Sequence, residues 1–308
     1  MLPILLKTLP FFALIAVGYL AGRRNFFPPE GVAWLTKFVF YFALSAMLFR
    51  FAATLSLSEI FDLPFVLAYL SASALLYALV MILSRLRGRG LEEAAMEAQC
   101  AQSGNTGFLG VPMLVVLLGP AAAGPVLMVL TVDMVVFSSL ITLIITAARG
   151  GALGLGTLKA LALGWLRNPM VVSIVAGLVW SGLHLPLPGP VSDFLAILGG
   201  AATPGALFAI GASLAGRGLT RLPDAIWLSM AKLVLHPALV AIAAFLIFPV
   251  EPVAAGVMVA AASLPVAGNV YILAQHYGVA PQRVSTAILI STAASILTVT
   301  TIIAWITG

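Results

Sequence analysis

Charged residues are scarce in this chain, since Asp, Glu, Lys and Arg make up only 8% of its 308 residues. Soluble domains carry about a quarter charged residues, so this scarcity excludes an ordinary soluble domain and indicates a protein embedded in a lipid bilayer. The net charge of +5 does not indicate nucleic acid binding, because the basic residues lie in short loops between apolar runs. We therefore expect no nucleic acid partner.

The sequence contains only one cysteine and lacks several common catalytic motifs. The single Cys100 excludes an internal disulfide and a cysteine metal cluster, and we expect no metal and no bound cofactor. The sequence lacks His-Glu-x-x-His, Gly-x-Ser-x-Gly, Gly-x-Gly-Asp and Walker A motifs, which carry zinc, serine, aspartyl and ATP chemistry. An intramembrane enzyme is therefore the least favoured class of function, and ATP is not expected to be the direct energy source.

Long hydrophobic runs are abundant, and 62% of the residues are hydrophobic. At about 20 residues per span, the runs predict an all-α integral membrane protein with ten transmembrane helices. The first run ends at Arg23 and Arg24 without a cleavage site of small residues, so it is expected to be retained. The glycine-rich connection 149–167 is expected to be a loop that joins two halves. The predicted spans are 2–22, 32–51, 62–84, 92–118, 123–147, 168–184, 192–215, 223–249, 253–277 and 283–306.

Basic residues are strongly biased to one side of this predicted topology. Only Lys7 and Arg50 lie on the opposite side, whereas eleven basic residues lie in the loops that follow each odd-numbered span. Since lysine and arginine favour cytoplasmic loops, both termini are expected to be extracytoplasmic, in a cell membrane that the composition suggests is a bacterial inner membrane. The eleven are Arg23, Arg24, Arg85, Arg87, Arg89, Arg149, Lys159, Arg167, Arg217, Arg221 and Arg283.

Two of the apolar runs are interrupted at corresponding places. Span four contains the polar, glycine-rich segment 102–107, and span nine contains the segment 265–270. A break at membrane depth is tolerated only where it lines a cavity or is buried in protein, and paired breaks in corresponding positions indicate a transporter's binding site. Five spans per half imply two inverted five-helix repeats, residues 1–150 and 151–308, in which broken helices 4 and 9 cross.

The residues of the breaks can bind a small polar solute. Asn105 and Asn269 each offer a donor and an acceptor, and an unwound turn presents carbonyls to a cation or helix N-terminal amides to an anion. At least one of Tyr271 and Gln275 is expected to face the same site. The alternative interpretation is that the amides only join helices while the glycines permit close packing. The remaining candidate binding residues are Gln102, Ser103, Gly104, Thr106, Pro265 and Gly268.

Two ionisable residues lie at mid-depth in the predicted membrane. Such residues are costly and usually functional, and Asp133 in span five has Lys232 in span eight as its natural partner. They predict either coupling to a transported H⁺ or Na⁺, or a structural ion pair. Glu97 is interpreted as a helix-entry residue that faces the cytoplasm.

The sequence from Asn105 to Pro112, Asn-Thr-Gly-Phe-Leu-Gly-Val-Pro, resembles the N-T-x-x-x-G-[IV]-P signature of the auxin efflux carrier family, which includes bacterial permeases for malonate, malate and similar carboxylates. The resemblance extends over the whole chain. It implies a scaffold of helices 1, 2, 6 and 7 that often forms a homodimer, and a transport domain of helices 3–5 and 8–10 that moves like an elevator. It also implies an organic anion held near Asn105, Thr106 and Pro265.

The chain departs from the plant members of that family. Gly104 stands where they usually have proline, and their large hydrophilic central loop is missing, which argues against auxin in particular. The leading hypothesis is therefore a secondary transporter for mono- or dicarboxylates. The alternatives are a channel or ligand sensor of the same fold, or a sodium-coupled carrier similar to the bile acid symporters.

Overall fold

The computed structural model describes residues 2–55, 62–150, 154–216 and 218–308. Arg217, one of the basic loop residues counted above, lies outside this described part. Within it, the chain forms thirteen helical segments and no β-strand, in agreement with the all-α prediction.

The helices follow one another through short turns, and several contain a wider π-helical turn. Two of these turns begin at or enclose ionisable residues: one runs over Asp133–Phe137 and the other over Ala231–Leu235. Such turns often occur at functional sites. In chain order the helices are α1 (Leu2–Arg23), α2 (Pro29–Thr54), α3 (Leu63–Leu86), α4 (Leu91–Gln102), α5 (Thr106–Leu118), α6 (Pro120–Ala148), α7 (Leu155–Arg167), α8 (Pro169–Gly182), α9 (Gly189–Leu214), α10 (Leu222–Ile247), α11 (Pro252–Ala262), α12 (Gly268–Tyr277) and α13 (Pro281–Thr307).

Seven of the described helices are long and apolar enough to cross a membrane, and an eighth span results if α7 and α8 are counted as one. The seven are α1, α2, α3, α6, α9, α10 and α13. The apolar helices α5 and α11 are shorter, because each belongs to a run that is interrupted by a break. The protein is thus a helical integral membrane protein.

The expected loop 149–167 is corrected by the structure. Its second part forms α7, whose axis is bent by 75° from that of α8. The glycines suggested a loop, but Gly156 and Gly164 are separated by a run of strong helix formers, and this run outweighs the cost of two glycines. Asn168 ends α7 in an extended conformation, and Pro169 then begins α8.

Two pairs of helices pack so closely that they require glycine. Where α1 meets α9, a Cβ on Gly18 would lie 2.1 Å from the Phe208 carbonyl oxygen, and one on Gly211 would lie 1.9 Å from that of Ile15. Where α8 meets α2, a Cβ on Gly177 would lie 2.6 Å from the Phe49 carbonyl oxygen. Small residues permit this approach between membrane helices. Helices α1, α2, α8 and α9 thereby form one group, which we call the four-helix group.

Candidate functional site

The two breaks pair with each other through the backbone. The Asn105 amide donates to the Pro265 carbonyl at 2.8 Å, and the Ala267 amide donates to the Ser103 carbonyl at 3.0 Å. Gly104 and Val266 thereby form an antiparallel bridge. Backbone polar groups in an apolar environment must find internal partners, and each break supplies partners for the other. The two interrupted helices are therefore held together at their breaks.

A second half-helix begins immediately after each break. Helix α5 starts after Asn105 and helix α12 after Ala267, and neither of these two residues caps its helix with its side chain. The N-terminus of a helix carries a partial positive charge and presents free amide groups. Two such ends, pointed at one place, favour a negatively charged ligand there.

A small cavity of about 90 Å³ lies beside the two helix starts. It includes residues of both breaks, of α6, and of α2 and α8 from the four-helix group. The cavity therefore lies between the four-helix group and the helices that carry the breaks. Its lining residues are Phe40, Ser103, Gly104, Asn105, Gly107, Phe108, Leu130, Asp133, Met134, Ser138, Asn168, Met170, Ala267, Gly268 and Asn269.

Asp133 is the one carboxylate in the cavity wall among the described residues. Its Oδ1 atom accepts hydrogen bonds from the Tyr69 hydroxyl at 2.8 Å and from Gln102 Nε2 at 2.6 Å. Its Oδ2 atom is buried and has no hydrogen-bond partner within the described structure. Since a buried polar oxygen is costly without a partner, this oxygen can accept a proton, a cation or a donor of the solute.

Lys232 lies behind the first break and is fully buried. Its ammonium nitrogen donates to the Ala262 carbonyl at 2.5 Å and lies 2.8 Å from His236 Nδ1, while His236 Nε2 lies 2.9 Å from the Ser73 hydroxyl. Ala262 ends α11, so the ammonium group binds the negative end of a half-helix. A Cβ on Gly104 would lie only 3.2 Å from Nζ, so the Lys232 amino group lies close beside the backbone of a residue that lines the cavity.

The structure does not join Asp133 to Lys232 directly. Among the ion pairs of the described residues, none links these two side chains. Each instead binds the last residue of a half-helix, Asp133 at Gln102 and Lys232 at Ala262. The alternative of a direct structural ion pair is therefore not what the geometry provides.

Five of the nine predicted binding residues line the cavity: Ser103, Gly104, Asn105, Gly268 and Asn269. The other four do not line it. Gln102 binds Asp133, the Pro265 carbonyl accepts the Asn105 amide, and the Thr106 hydroxyl lies 3.5 Å from the Gly104 carbonyl. The Tyr271 hydroxyl accepts a hydrogen bond from Gln275 Nε2 at 3.0 Å. The two residues of α12 that were expected near the site therefore contact each other.

Sequence reasoning missed the apolar wall of the cavity and two polar residues in it, Ser138 and Asn168. Phe40, Phe108 and Met170 line the cavity as ordinary apolar residues of membrane helices, and no sequence signal separates them from their neighbours. From the sequence, Asn168 is predicted only to begin the sixth span. Its position before Pro169 is the signal for a helix cap, and its side chain indeed accepts from the Met170 amide at 3.0 Å.

A charged cluster surrounds Glu97, which is buried rather than open to solvent. Its carboxylate accepts hydrogen bonds from Arg283 and, at 2.5 Å, from the Ser84 hydroxyl. Arg283 also lies 3.4 Å from Asp224, which Arg89 binds at 2.9 Å. The interpretation of Glu97 as a simple helix-entry residue is wrong, because it joins α4 to α13 through a buried ion pair with Arg283 and to α3 through a hydrogen bond from Ser84.

Membrane-crossing helices together with paired broken helices around a small cavity that contains a few polar groups are typical of a multi-pass membrane transporter. Residues 3–303 match the family described as "Membrane transport protein", and the chain belongs to that family. The chain is also similar to a protein of Rhizobium meliloti (strain 1021) named "Putative malonate transporter", with 34% identity over 299 residues that cover 95% of this chain and 92% of the relative.

These matches confirm the predicted resemblance to the auxin efflux carriers. They also confirm the prediction of a membrane permease, and they indicate a transporter rather than an enzyme.

Proposed function

We propose that the protein is a secondary transporter for small organic anions, in particular short mono- and dicarboxylates, which bind at the paired breaks. The observation that carries the proposal is the convergence of the starts of α5 and α12 on one cavity, with Asn105 and Asn269 in its wall. Half-helix N-termini bind the anionic groups of substrates in other carriers. The name of the Rhizobium meliloti relative, which mentions malonate, agrees with a short dicarboxylate.

The proposed topology has ten spans in two inverted repeats, residues 1–150 and 151–308. The breaks between α4 and α5 and between α11 and α12 would make spans four and nine, with α8 as span six. Helix packing supports this arrangement, because α1 on α9 and α8 on α2 are equivalent pairs when the two halves are exchanged. In a bacterial inner membrane, both termini would then lie on the side opposite the cytoplasm, since the basic loops favour the cytoplasmic side.

The proposed mechanism is an elevator movement. The four-helix group would form the scaffold and the homodimer contact, through spans 1, 2, 6 and 7, while spans 3–5 and 8–10 would carry the solute. The position of the cavity supports this division, because Phe40 and Met170 of the four-helix group line it together with Asn105 and Asn269. A solute held at such a boundary can be released on either side when one group slides along the other.

Asp133 is proposed as the residue that couples transport to H⁺ or Na⁺. Asp133 lines the cavity and its buried Oδ2 atom has no hydrogen-bond partner within the described structure. A carboxylate at this place would repel an anionic solute. A proton or a sodium ion bound there would remove this repulsion. The coupling ion would therefore bind together with the anion.

The test is uptake of radiolabelled malonate and a panel of mono- and dicarboxylates into proteoliposomes, under separately imposed pH, sodium and voltage gradients. A transporter is expected to accumulate at least one of these anions above its equilibrium level when one gradient is present. Downhill flux without accumulation would instead indicate a channel, and saturable binding without flux would indicate a sensor. Accumulation that depends strictly on sodium would favour the symporter alternative.

A further inference from the structure

The helix α7, Leu155–Arg167, has a surface that the transport site does not explain. No residue of this helix is buried, and Leu155, Leu158 and Leu166 are 85%, 60% and 72% exposed. Scattered exposed leucines are normal, but here they belong to one short helix that stands apart from the bundle. Trp165 makes one polar contact with the bundle, from its Nε1 to the Ser139 hydroxyl at 3.2 Å.

The length and charge of α7 exclude a position across the membrane. Thirteen residues extend about 20 Å, which is shorter than the roughly 30 Å thickness of a bilayer's hydrocarbon core. Lys159 lies near the middle of the helix and Arg167 at its end, and a charge at the centre of a bilayer is costly. The 75° bend from α8 would place α7 close to the membrane plane when α8 crosses the bilayer.

The residues of α7 separate into two faces. Leu155, Leu158 and Leu166 lie within about 80° of one another around the helix axis and form the strongly exposed side, while Ala160 and Gly164 lie on the opposite side. Leu161 and Trp165 are less exposed, and Trp165 contacts Ser139 of α6. A helix with one apolar face, basic residues and a tryptophan is suited to lie in the interface of a bilayer. Lysine near the boundary of such a face can extend its charged end toward the headgroups.

We propose that α7 is an interfacial helix, which lies on the membrane surface with Leu155, Leu158 and Leu166 inserted among the lipids and with Lys159 and Arg167 bound to anionic headgroups. Charge complementarity carries the choice of lipid, because Leu155–Arg167 contains two basic residues and no acidic one. The helix joins α6 to α8, and Asn168 at its end lines the cavity. The lipid surface would therefore fix the segment that connects the two halves of the protein.

The test uses a nitroxide spin label on single introduced cysteines in the full-length protein, because the native Cys100 is fully buried. Leu158→Cys and Leu166→Cys report the apolar face. Ala160→Cys is the matched control, since it lies about 200° around the helix from residue 158. Each variant is reconstituted into vesicles of phosphatidylethanolamine and phosphatidylglycerol, and gel filtration and the thermal midpoint verify its folding.

Collisions of the label with dissolved oxygen report lipid, and collisions with a water-soluble nickel chelate report water. We expect labels at 158 and 166 to favour oxygen and the label at 160 to favour nickel. Nickel access at all three positions would overturn the proposal, because the helix would then lie in water. Oxygen access at all three would indicate a re-entrant segment, and low access of both reagents at 158 and 166 would indicate a protein contact. Either result would also overturn it.

The headgroup preference is tested separately with a fluorophore at position 158 and spin-labelled lipids as quenchers. At equal mole fraction, spin-labelled phosphatidylglycerol is expected to quench more strongly than spin-labelled phosphatidylcholine. Lys159→Gln should lower the relative association constant for phosphatidylglycerol by up to about fivefold, as expected for one basic residue at a membrane surface. Equal quenching by both lipids in the unchanged helix would contradict the role of the anionic headgroups.

Discussion

The substitution Gly104→Ala tests the geometry of the first break in detail. A Cβ at this position would lie 3.2 Å from Nζ and 3.3 Å from Cε of Lys232, and 3.4 Å from the Ala261 carbonyl oxygen. The lysine cannot move freely, because its ammonium group is held by the Ala262 carbonyl and by His236. Extra atoms in a well-packed site cost about 1–3 kcal/mol, and we expect a loss of this size in the free energy of unfolding, together with slower anion uptake.

Gly268→Ala is the matched control in the second break. Gly268 also lines the cavity, but a Cβ there would meet no atom within 4 Å. It is the first residue of α12, and replacing glycine by alanine at a compatible position stabilises a protein by about 0.4–1 kcal/mol. Its thermal midpoint should therefore be unchanged or raised. The assay is thermal unfolding of the purified proteins in detergent, measured by tryptophan fluorescence.

A double substitution identifies the contact that is responsible. If the alanine at position 104 acts by displacing the lysine, its cost should largely disappear in a Lys232→Ala background, with a coupling free energy of about 0.5–3 kcal/mol. Three results would refute this reasoning: an unchanged thermal midpoint for Gly104→Ala, an equal loss for Gly268→Ala, or additive losses in the double variant.

Two further substitutions follow from the polar groups around the site. Asp133→Asn keeps the shape of the side chain but removes its charge, so uptake should lose its response to the coupling gradient. The measurement is anion accumulation under imposed pH and sodium gradients. An unchanged ion dependence would exclude Asp133 as the coupling residue. Glu97→Gln leaves Arg283 without its buried partner and should destabilise the protein by roughly 3 kcal/mol. The control is Glu92→Gln, which breaks the ion pair with Arg149, a side chain that is 47% exposed. This change should cost at most about 1 kcal/mol. The free energy of unfolding is measured by chemical denaturation, and equal losses for the two variants would show that burial of the Glu97 pair does not matter.

The all-α membrane character and the two breaks could be predicted from the sequence, because both depend on local composition. Residues 103–105 pair antiparallel with residues 265–267, a contact between distant segments that the sequence of neither break contains. Hydropathy gave depth along a helix but not the direction in which a side chain points. That is why Asp133 and Lys232 were expected to pair, whereas their partners are Gln102 and the Ala262 carbonyl.

Other features depended on contacts between distant segments and left no local signal. Glu97 lies near the polar start of its helix, and its partner Arg283 is far away in sequence, so only the tertiary structure shows that it is buried. Helix α7 was hidden by the glycines of its segment. The apolar cavity wall at Phe40 and Met170 results from the contact between the four-helix group and the breaks. This contact cannot be predicted from the sequence of either segment alone.

The proposed site makes one central requirement: one asparagine from each break contacts the same bound anion. It is tested most directly by a double-mutant cycle on malonate binding, with Asn105→Ala, Asn269→Ala and the double variant, measured by titration calorimetry of the folded proteins in detergent. We expect each single substitution to weaken binding about tenfold or more, and the two losses to be non-additive, with a coupling of about 0.5–3 kcal/mol. An unchanged Kd for either variant, or strictly additive losses, would contradict a shared site.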